Sequence, residues 1–204
     1  MSPTPEQQAR KHIDELLIDS GWQIQDFNEF NLSASLGLAI REFPTETGHA
    51  DYVLFVDKTA VGAIEAKPIG TTLGGVAEQT AKYIKKFPKE IPHIGLPLYF
   101  AYESTGIETY FRDERDPEPR SRRVFSFHKP QTLYEWINEK DTLRTRLQNI
   151  PELDVAGLWP CQIEAIEGLE KSFKRAKPRA LIQMATGSGK TLSLQTLNGK
   201  EVTL

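Results

Sequence analysis

The 204-residue sequence has little of the chemistry that stabilises small secreted proteins or places a chain in a membrane. Cys161 is its single cysteine, which excludes an internal disulfide and suits the reducing cytoplasm. The polar opening segment 1–5 has no signal-peptide pattern, and no apolar run approaches the length needed to cross a bilayer. We therefore expect a cytoplasmic protein without a membrane partner.

An excess of basic residues is also missing, because 25 Lys and Arg face 28 Asp and Glu and the formal net charge is −3. A generally basic coat for binding nucleic acid is thereby excluded. Any contact with DNA must come from local basic patches and from neutralisation by metal ions. No internal repeat is visible, and the length allows one core of about 150 residues and the beginning of a second unit.

Two short apolar segments, 52–56 and 60–64, are rich in strand-forming residues and are separated by 57–59. This pattern predicts a β-hairpin with a three-residue loop. The expected register pairs Val56 with Ala60, and the pairs further along the hairpin follow from it.

Counting back from the turn places Asp51 opposite Glu65, and directly opposed residues have Cβ atoms about 4.5–5.5 Å apart. Side chains alternate between faces with a period of two, so Lys67 points to the same side as Glu65. Two neighbouring carboxylates repel each other unless a cation or a proton lies between them, and Mg²⁺ fits that need. Lys67 would stabilise the charge that develops when a phosphodiester is attacked. The simpler alternative is an ordinary hairpin with a surface Asp and a Glu-X-Lys at one end.

The segment before the hairpin predicts an α-β-β order. Thr4, Pro5 and Gln7 form a capping box with proline at the first helical position. Apolar residues at helical spacing continue towards Gly21, and 38–43 predicts a strand. This order resembles the core of the PD-(D/E)XK nuclease superfamily. The resemblance implies an α/β, restriction-endonuclease-like fold with a mixed central β-sheet flanked by helices.

A helix is predicted after the hairpin, because Val76, Tyr83, Ile84 and Phe87 lie at helical spacing, with Gln79 four residues before Tyr83. Gln79-X-X-X-Tyr83 after Glu-X-Lys resembles an element of a nuclease subgroup that includes the restriction subunits of type I systems. The resemblance implies that this pair supports the active site and touches the DNA backbone. The alternative is a core tyrosine beside a solvated glutamine. The helix also has four lysines that could contact phosphates: Lys82, Lys85, Lys86 and Lys89.

A glycine-rich segment follows a predicted strand at 179–184 and resembles a phosphate-binding loop. It contains Gly187, Gly189, Lys190 and Thr191, in the order Gly-X-Gly-Lys-Thr. Backbone amides there would cradle phosphates, Lys190 would reach the β- and γ-oxygens, and Thr191 would bind Mg²⁺.

The loop has Met184 where a full Walker A pattern has glycine, and this form resembles the one in superfamily 2 helicases and translocases. Residues 158–166 resemble the adenine-reading segment of that group, which implies that Gln162 contacts adenine.

A nuclease core followed by the opening of a superfamily 2 motor resembles the restriction subunit of type I restriction-modification enzymes, and 124–133 resembles the connection between its two domains. The resemblance implies an endonuclease domain at 1–150 and the start of a helicase/translocase ATPase domain at 151–204. It implies double-stranded DNA as the substrate, and the methyltransferase and specificity subunits as partners. The implied cofactors are Mg²⁺ (or Mn²⁺) and, in the full-length parent, ATP.

In that family pattern Asp51 and Glu65 hold the metal along with the Ala66 carbonyl. An additional Glu or His on the first helix is often a ligand, and Glu6 and His12 are both candidates between which the sequence does not choose. His128, which lies close to Pro130 after a predicted strand, is expected to fix a turn rather than to act in catalysis.

The 13 residues after Thr191 contain an Asn-Gly turn signal and leave no room for the other motifs of a motor. We therefore expect a fragment that does not hydrolyse ATP. One alternative is a non-catalytic interaction module that docks the motor onto the methyltransferase-specificity core. Another is a free-standing nuclease, which the phosphate loop and Gln162 disfavour.

The remaining elements are expected in the order strand, strand, loop, helix, helix. Segments 96–102 and 107–111 predict strands, and 113–123 predicts a charged loop broken by proline. Segments 133–137 and 143–150 predict short helices before the second domain.

Overall fold

The computed structural model describes residues 4–73, 77–177 and 180–189, with the backbone alone for 77–79. The chain divides into two compact units. The first contains residues 1–115 and 119–139, and the second contains 116–118 and 140–204.

Five helices and seven strands are described, together with a short 3-10 turn at Phe27–Glu29. The helices are α1 (Pro5–Asp19), α2 (Ala77–Lys85), α3 (Pro130–Asn138), α4 (Leu143–Gln148) and α5 (Pro160–Lys174). The strands are β1 (Gln23–Asp26), β2 (Gly37–Thr45), β3 (Gly48–Val56), β4 (Thr59–Ala66), β5 (Phe100–Ser104), β6 (Thr109–Asp113) and β7 (Arg122–Val124).

The strands of the first unit form one mixed sheet in the order β1-β2-β3-β4-β5-β6-β7. The β1–β2 and β4–β5 pairs are parallel, and the other pairs are antiparallel. The parallel step from β4 to β5 requires a crossover, and α2 lies in that connection. The prediction of a mixed sheet flanked by helices is confirmed.

Two apolar layers cover the two faces of this sheet, because successive residues of β3 alternate between them. Tyr52 and Leu54 belong to the layer that contains Ile13 of α1 and Leu133 of α3. The opposite layer contains Ile84 of α2. The central strands are thus buried on both sides.

Helix α1 begins as predicted. The Thr4 side chain accepts the Gln7 N–H, and the Gln7 side chain accepts the Thr4 N–H, at 3.2 and 2.9 Å. Ala9, Ile13 and Leu17 form its buried stripe. This stripe packs the helix on the sheet, and Arg10 of the same helix reaches Asp51 of β3.

The hairpin turn differs from the prediction. Asp57 and Lys58 both have positive φ, 46° and 67°, and form a two-residue turn in which Val56 pairs with Thr59 rather than with Ala60. The predicted three-residue loop was therefore wrong. Paired left-handed residues match the twist of adjacent strands in a tight hairpin, which accounts for the shorter turn.

A β-bulge then restores the expected register. The pairing steps from Phe55 opposite Ala60 to Leu54 opposite Gly62, so Val61 is the extra residue. Beyond the bulge Tyr52 pairs with Ile64, which is the register predicted from the sequence.

Other elements differ at their ends or were not predicted. Strand β5 begins at Phe100 rather than at Leu96, and neither β1 nor β7 was predicted. The predicted strand at 179–184 is wrong for its described part, since residues 180–184 have no strand assignment and Leu181 is 92% exposed. No described strand pairs with this segment, and an unpaired strand leaves its backbone groups unsatisfied.

The described part of the second unit contains α4 and α5, and Ile166 of α5 is fully buried. Across the described residues of the whole chain, the helices are too short or too polar to span a bilayer.

Candidate active site

Asp51 lies in β3, next to Tyr52, which is the last residue of β3 that pairs with β4. Its Oδ2 accepts the backbone N–H of Ala66 at 2.7 Å, and its Oδ1 accepts from Nη2 of Arg10. The side chain is 11% exposed. The hairpin thus brings Asp51 to the end of β4, as the spacing predicted, but a basic residue of α1 is bound to it.

Glu65 and Lys67 project together from the end of β4. Lys67 Nζ donates to Glu65 Oε1 at 2.8 Å, and the Lys67 backbone N–H donates to the Ser104 carbonyl of β5. Glu65 is only 4% exposed, and its Oε2 is buried with no hydrogen-bond partner. One oxygen of this carboxylate therefore has unused capacity to bind a donor or a cation.

The electrostatics of Asp51 and Glu65 agree with their proximity. Burial raises the pKa of Glu65, the Lys67 ammonium lowers it, and the negative charge of Asp51 raises it further. Burial also raises the pKa of Asp51, against the Ala66 N–H and the charge of Arg10. Each carboxylate has one basic partner, but burial outweighs that partner in its effect on the pKa, and a bound cation would favour the charged form of both groups.

Arg10 is the central residue that the sequence analysis missed. Its Nη1 donates to Glu42, and its Nη2 donates to Asp51 and, at 3.3 Å, to Glu6. Glu42 has φ +50°, an uncommon conformation for a non-glycine residue, at a gap in the β2–β3 register opposite Asp51. Only the Glu6–Arg10 spacing of four on one helix was visible in the sequence.

We use the name acid cluster for six charged side chains around Asp51: Glu6, Glu42, Asp51, Glu65, Arg10 and Lys67. With every group ionised, the four carboxylates and two basic groups have a formal net charge of −2.

The acid pair suits a hard divalent ion by its chemistry. Carboxylate and carbonyl oxygens are the ligands that Mg²⁺ prefers, and Mg²⁺ uses only one or two carboxylates, with water and phosphate completing its shell. Asp51, Glu65 and the Ala66 carbonyl supply such oxygens, and the buried Glu65 Oε2 is available. Among the described residues, no group of three or more His, Cys, Asp or Glu side chains forms a ready metal cage.

The glutamine–tyrosine pair is placed in part. Both residues lie on α2, as predicted, but the side chain of Gln79 lies outside the described residues. Tyr83 is half-buried and packs against the apolar layer under α2, and among the described residues it makes no hydrogen bond to the acid pair. The four lysines of this region are exposed, as predicted: Lys82, Lys85, Lys86 and Lys89.

The first helix sends its two candidate residues to different places. Glu6 joins the acid cluster through Arg10, whereas His12 packs beside Gly106 in the β5–β6 turn. His128 lies in the aromatic core, where its Nδ1 is 2.7 Å from the Tyr102 hydroxyl. Its ring packs against Phe111 and Trp136.

In the second unit, Gln162 is buried, and its Nε2 donates to the Gly189 carbonyl at 3.2 Å, while its Oε1 accepts the Trp159 N–H at 2.8 Å. The structure thus brings the predicted adenine contact to the predicted phosphate loop. Gly187 and Gly189 have φ of +82° and +75°, which glycine adopts readily. Lys190 and Thr191 lie outside the described residues.

Comparison with known proteins matches both parts of the chain. Residues 33–97 match the family model "Type I restriction enzyme EcoKI endonuclease subunit second domain". Residues 156–197 match the model "Type III restriction enzyme, res subunit".

An alignment of 238 positions, which covers 91% of this chain, shows 27% identity to the type I restriction enzyme EcoKI endonuclease subunit of Escherichia coli (strain K12). The chain spans 20% of the length of that relative. A solved fragment assigned to the HsdR subunit of a type I restriction enzyme from Vibrio vulnificus YJ016 is 22% identical, with a TM-score of 0.48, covering 98% of this chain and 38% of the fragment.

Proposed function

We propose that the first unit of this chain, whose sequence is similar to the endonuclease subunit of a type I restriction enzyme, is a Mg²⁺-dependent nuclease domain that cuts double-stranded DNA. The observation that carries this proposal is the hydrogen bond that holds Asp51 on the Ala66 N–H, next along β4 from Glu65, together with the hydrogen bond from Lys67 to Glu65. The relatedness to a restriction endonuclease subunit supports a nuclease role in general, and the site gives that role specific residues.

The residues of the chain have separable tasks in this reaction. The Ala66 N–H orients Asp51 at 2.7 Å, and the buried Glu65 carboxylate has its Oε2 without a hydrogen-bond partner. Asp51, Glu65 and the Ala66 carbonyl would hold Mg²⁺ or Mn²⁺, which when bound polarises the phosphate and lowers the pKa of the attacking water.

Lys67 would donate to the phosphate oxygen on which negative charge grows, since its ammonium group already lies 2.8 Å from Glu65 Oε1. A donor held in place before the reaction avoids the cost of reorienting solvent during it. This gives Lys67 a role that a metal ligand cannot supply.

DNA would approach along the side of α2, where four exposed lysines lie on or after the helix. Phosphate contacts of this kind are independent of sequence and weaken with salt. Gln79 and Tyr83 of the same helix would support the site and the backbone contact. The recognised sequence would be read by a specificity subunit, which we propose as a partner together with the methyltransferase subunit.

For the second unit we propose a nucleotide site in the parent enzyme, in which ATP drives DNA translocation. The contact between Gln162 and Gly189 supports this role, because it joins the proposed adenine and phosphate segments. We place the protein in the cytoplasm, where its DNA substrate and reduced Cys161 are expected.

A second candidate function is an interaction module without chemistry. The observation favouring it is that both oxygens of Asp51 already accept protein donors, Ala66 N–H and Arg10. In that case the acid cluster would be a structural ion-pair network that docks the motor onto the methyltransferase core.

Substitution in the assembled restriction enzyme separates the two functions. We expect Glu65→Ala and Lys67→Ala to abolish cleavage of a supercoiled plasmid while ATP-driven translocation continues. Lys11→Ala, on the exposed side of α1, is the control and should cut normally. Retained cleavage by both variants would refute the nuclease assignment and leave the module.

A further inference from the structure

Arg10 is the basic residue paired with Asp51, one of the two acids proposed to hold the metal. Its guanidinium spans three carboxylates and is 34% exposed at the side chain, whereas Asp51 is 11% exposed. The pairing with Asp51 is therefore the least hydrated of the three, and the pairings with Glu6 and Glu42 lie in solvent. A guanidinium is a weakly hydrated planar cation that can bridge several carboxylates at once.

The surrounding backbone keeps the three carboxylates on this one residue. Glu42 is held at φ +50° where the β2–β3 ladder skips a pair, and Asp51 is its unpaired neighbour on β3. Glu6 stands one helical turn before Arg10. Such local departures from regular geometry are typical of functional sites.

We propose that Arg10 is the internal competitor of the divalent ion: its guanidinium neutralises Asp51 in the metal-free protein, and metal binding displaces it onto Glu6 and Glu42. This inference rests on the proposed function, because it concerns the same metal ligands. It assigns Arg10 a role in setting metal affinity, distinct from the transition-state role of Lys67.

Charge balance supports the exchange. Formally the acid cluster has a net charge of −2, so one divalent ion would neutralise it without removing any group. Glu6 and Glu42 are solvent-exposed carboxylates that can keep Arg10 paired after it leaves Asp51. A displaced guanidinium therefore has binding partners on the protein and is not left isolated in the site.

The test is calorimetric titration of the chain with MnCl₂. Arg10→Gln removes the competing charge, and we expect Mn²⁺ to bind roughly tenfold or more tightly, since the ion no longer has to displace a charged hydrogen-bond donor from Asp51. Arg10→Lys keeps the charge without the planar fork and should bind Mn²⁺ with intermediate affinity. It also provides a second test should the glutamine variant fold poorly.

Arg41→Gln is the matched control, because Arg41 bridges Asp14 and Asp26 with a similar side-chain exposure of 36% but lies outside the acid cluster. Its Mn²⁺ affinity should equal that of the wild type. The double variant Arg10→Gln/Glu65→Gln should lose the increase in Mn²⁺ affinity that Arg10→Gln alone produces. That loss would mean that the ion binds at Glu65.

Equal or weaker Mn²⁺ binding by both Arg10 variants would overturn the proposal. Unchanged or reduced affinity is what we would expect if Arg10 merely positioned Asp51 for the metal. A gain that survives Glu65→Gln would also overturn it. The nuclease assignment fails separately: tighter Mn²⁺ binding with cleavage unaffected by Glu65→Ala would defeat the proposed function and leave the role of Arg10 intact.

Discussion

The carboxylate of Asp51 accepts the backbone N–H of Ala66 at 2.7 Å, across the gap where β3 and β4 stop pairing. The last main-chain pair is Tyr52 with Ile64, so this side chain satisfies the next donor that the ladder leaves open. Asp51 is thus a structural clasp of the hairpin as well as a proposed metal ligand, and the two roles can be separated by substitution.

Asp51→Asn should be less destabilising than Asp51→Ala. The asparagine side-chain oxygen can still accept the Ala66 N–H, whereas alanine leaves that buried donor without a partner, a cost of about 1–3 kcal/mol. Urea unfolding of both variants measures the difference, and both should lose Mn²⁺ binding. Equal free energies of unfolding would show that the hydrogen bond does not hold the hairpin together.

The register that places Asp51 opposite Glu65 could be predicted from the sequence because two differences from the predicted hairpin, a shorter turn and a bulge, cancel each other. Asp57 and Lys58 adopt positive φ without the Asn-Gly pattern that usually signals such a turn, so the loop length was mistaken. The bulge at Val61 then shifts the register back by one residue. The alternation of apolar residues predicted which side chains share a face of the sheet. No residue pattern in the sequence indicated the geometry of the turn.

Arg10 could not be predicted by the same means, since it reaches Glu42 and Asp51 across 32 and 41 residues of sequence. Helix α1 was predictable from its cap and its apolar stripe, but where its exposed residues lie depends on how it packs on the sheet. The opposite failure occurred at 179–184, where an apolar run resembles a strand but the described residues offer no strand to pair with it.

Glu103 is a buried acid outside the acid cluster. It lies on β5 beside Glu65 in the sheet register, is fully buried, and neither carboxylate oxygen has a hydrogen bond of normal geometry. Burial raises the pKa of Glu103 above its ordinary value of 4.5, and the Thr80 hydroxyl and the charge of Arg112 lower it by less.

A carboxyl group with a raised folded-state pKa binds more protons in the folded state than in the unfolded state. The stability that Glu103 provides is therefore complete below pH 4.5 and is lost as the pH rises through its folded-state pKa. We expect Glu103→Gln to raise the free energy of unfolding at pH 8 by roughly 1–3 kcal/mol, and by less at pH 4.

Urea unfolding at the two pH values checks this prediction, with Glu90→Gln at an exposed position as the control. A glutamine variant that is less stable than the wild type at pH 8 would mean that the Glu103 carboxylate is ionised and usefully paired in the fold.

His128 should remain uncharged far below neutrality. Burial, and after it the charge of Arg122, lowers its pKa from 6.5 to about 4, and the Tyr102 hydroxyl lies 2.7 Å from Nδ1. Stability from this neutral ring is complete above pH 6.5 and is lost as the pH falls towards 4. NMR titration should show a constant His128 ring resonance from pH 8 to 5.5, and a midpoint near 6.5 would contradict the placement of this partly buried ring.

Gly62 is needed where β4 approaches β5, the contact that positions Glu65 and Lys67 at the sheet end. A Cβ at Gly62 would lie 2.3 Å from the backbone oxygen of Phe100, and that atom cannot move without breaking the parallel pair. We expect Gly62→Ala to destabilise the chain by about 1–3 kcal/mol, the usual cost of overpacking. Thermal unfolding measures the change.

The control for this effect is Gly168→Ala in α5, where an added Cβ meets nothing within 4 Å. Alanine is the better helix former by about 0.8–1 kcal/mol, so this variant should be slightly stabilised rather than weakened. Because the two substitutions add the same methyl group, opposite signs isolate the close approach of β4 to β5 as the cause. A Gly62→Ala variant with unchanged stability would mean that the strands separate easily, and the end of β4 could then not hold Glu65 and Lys67 in a fixed geometry.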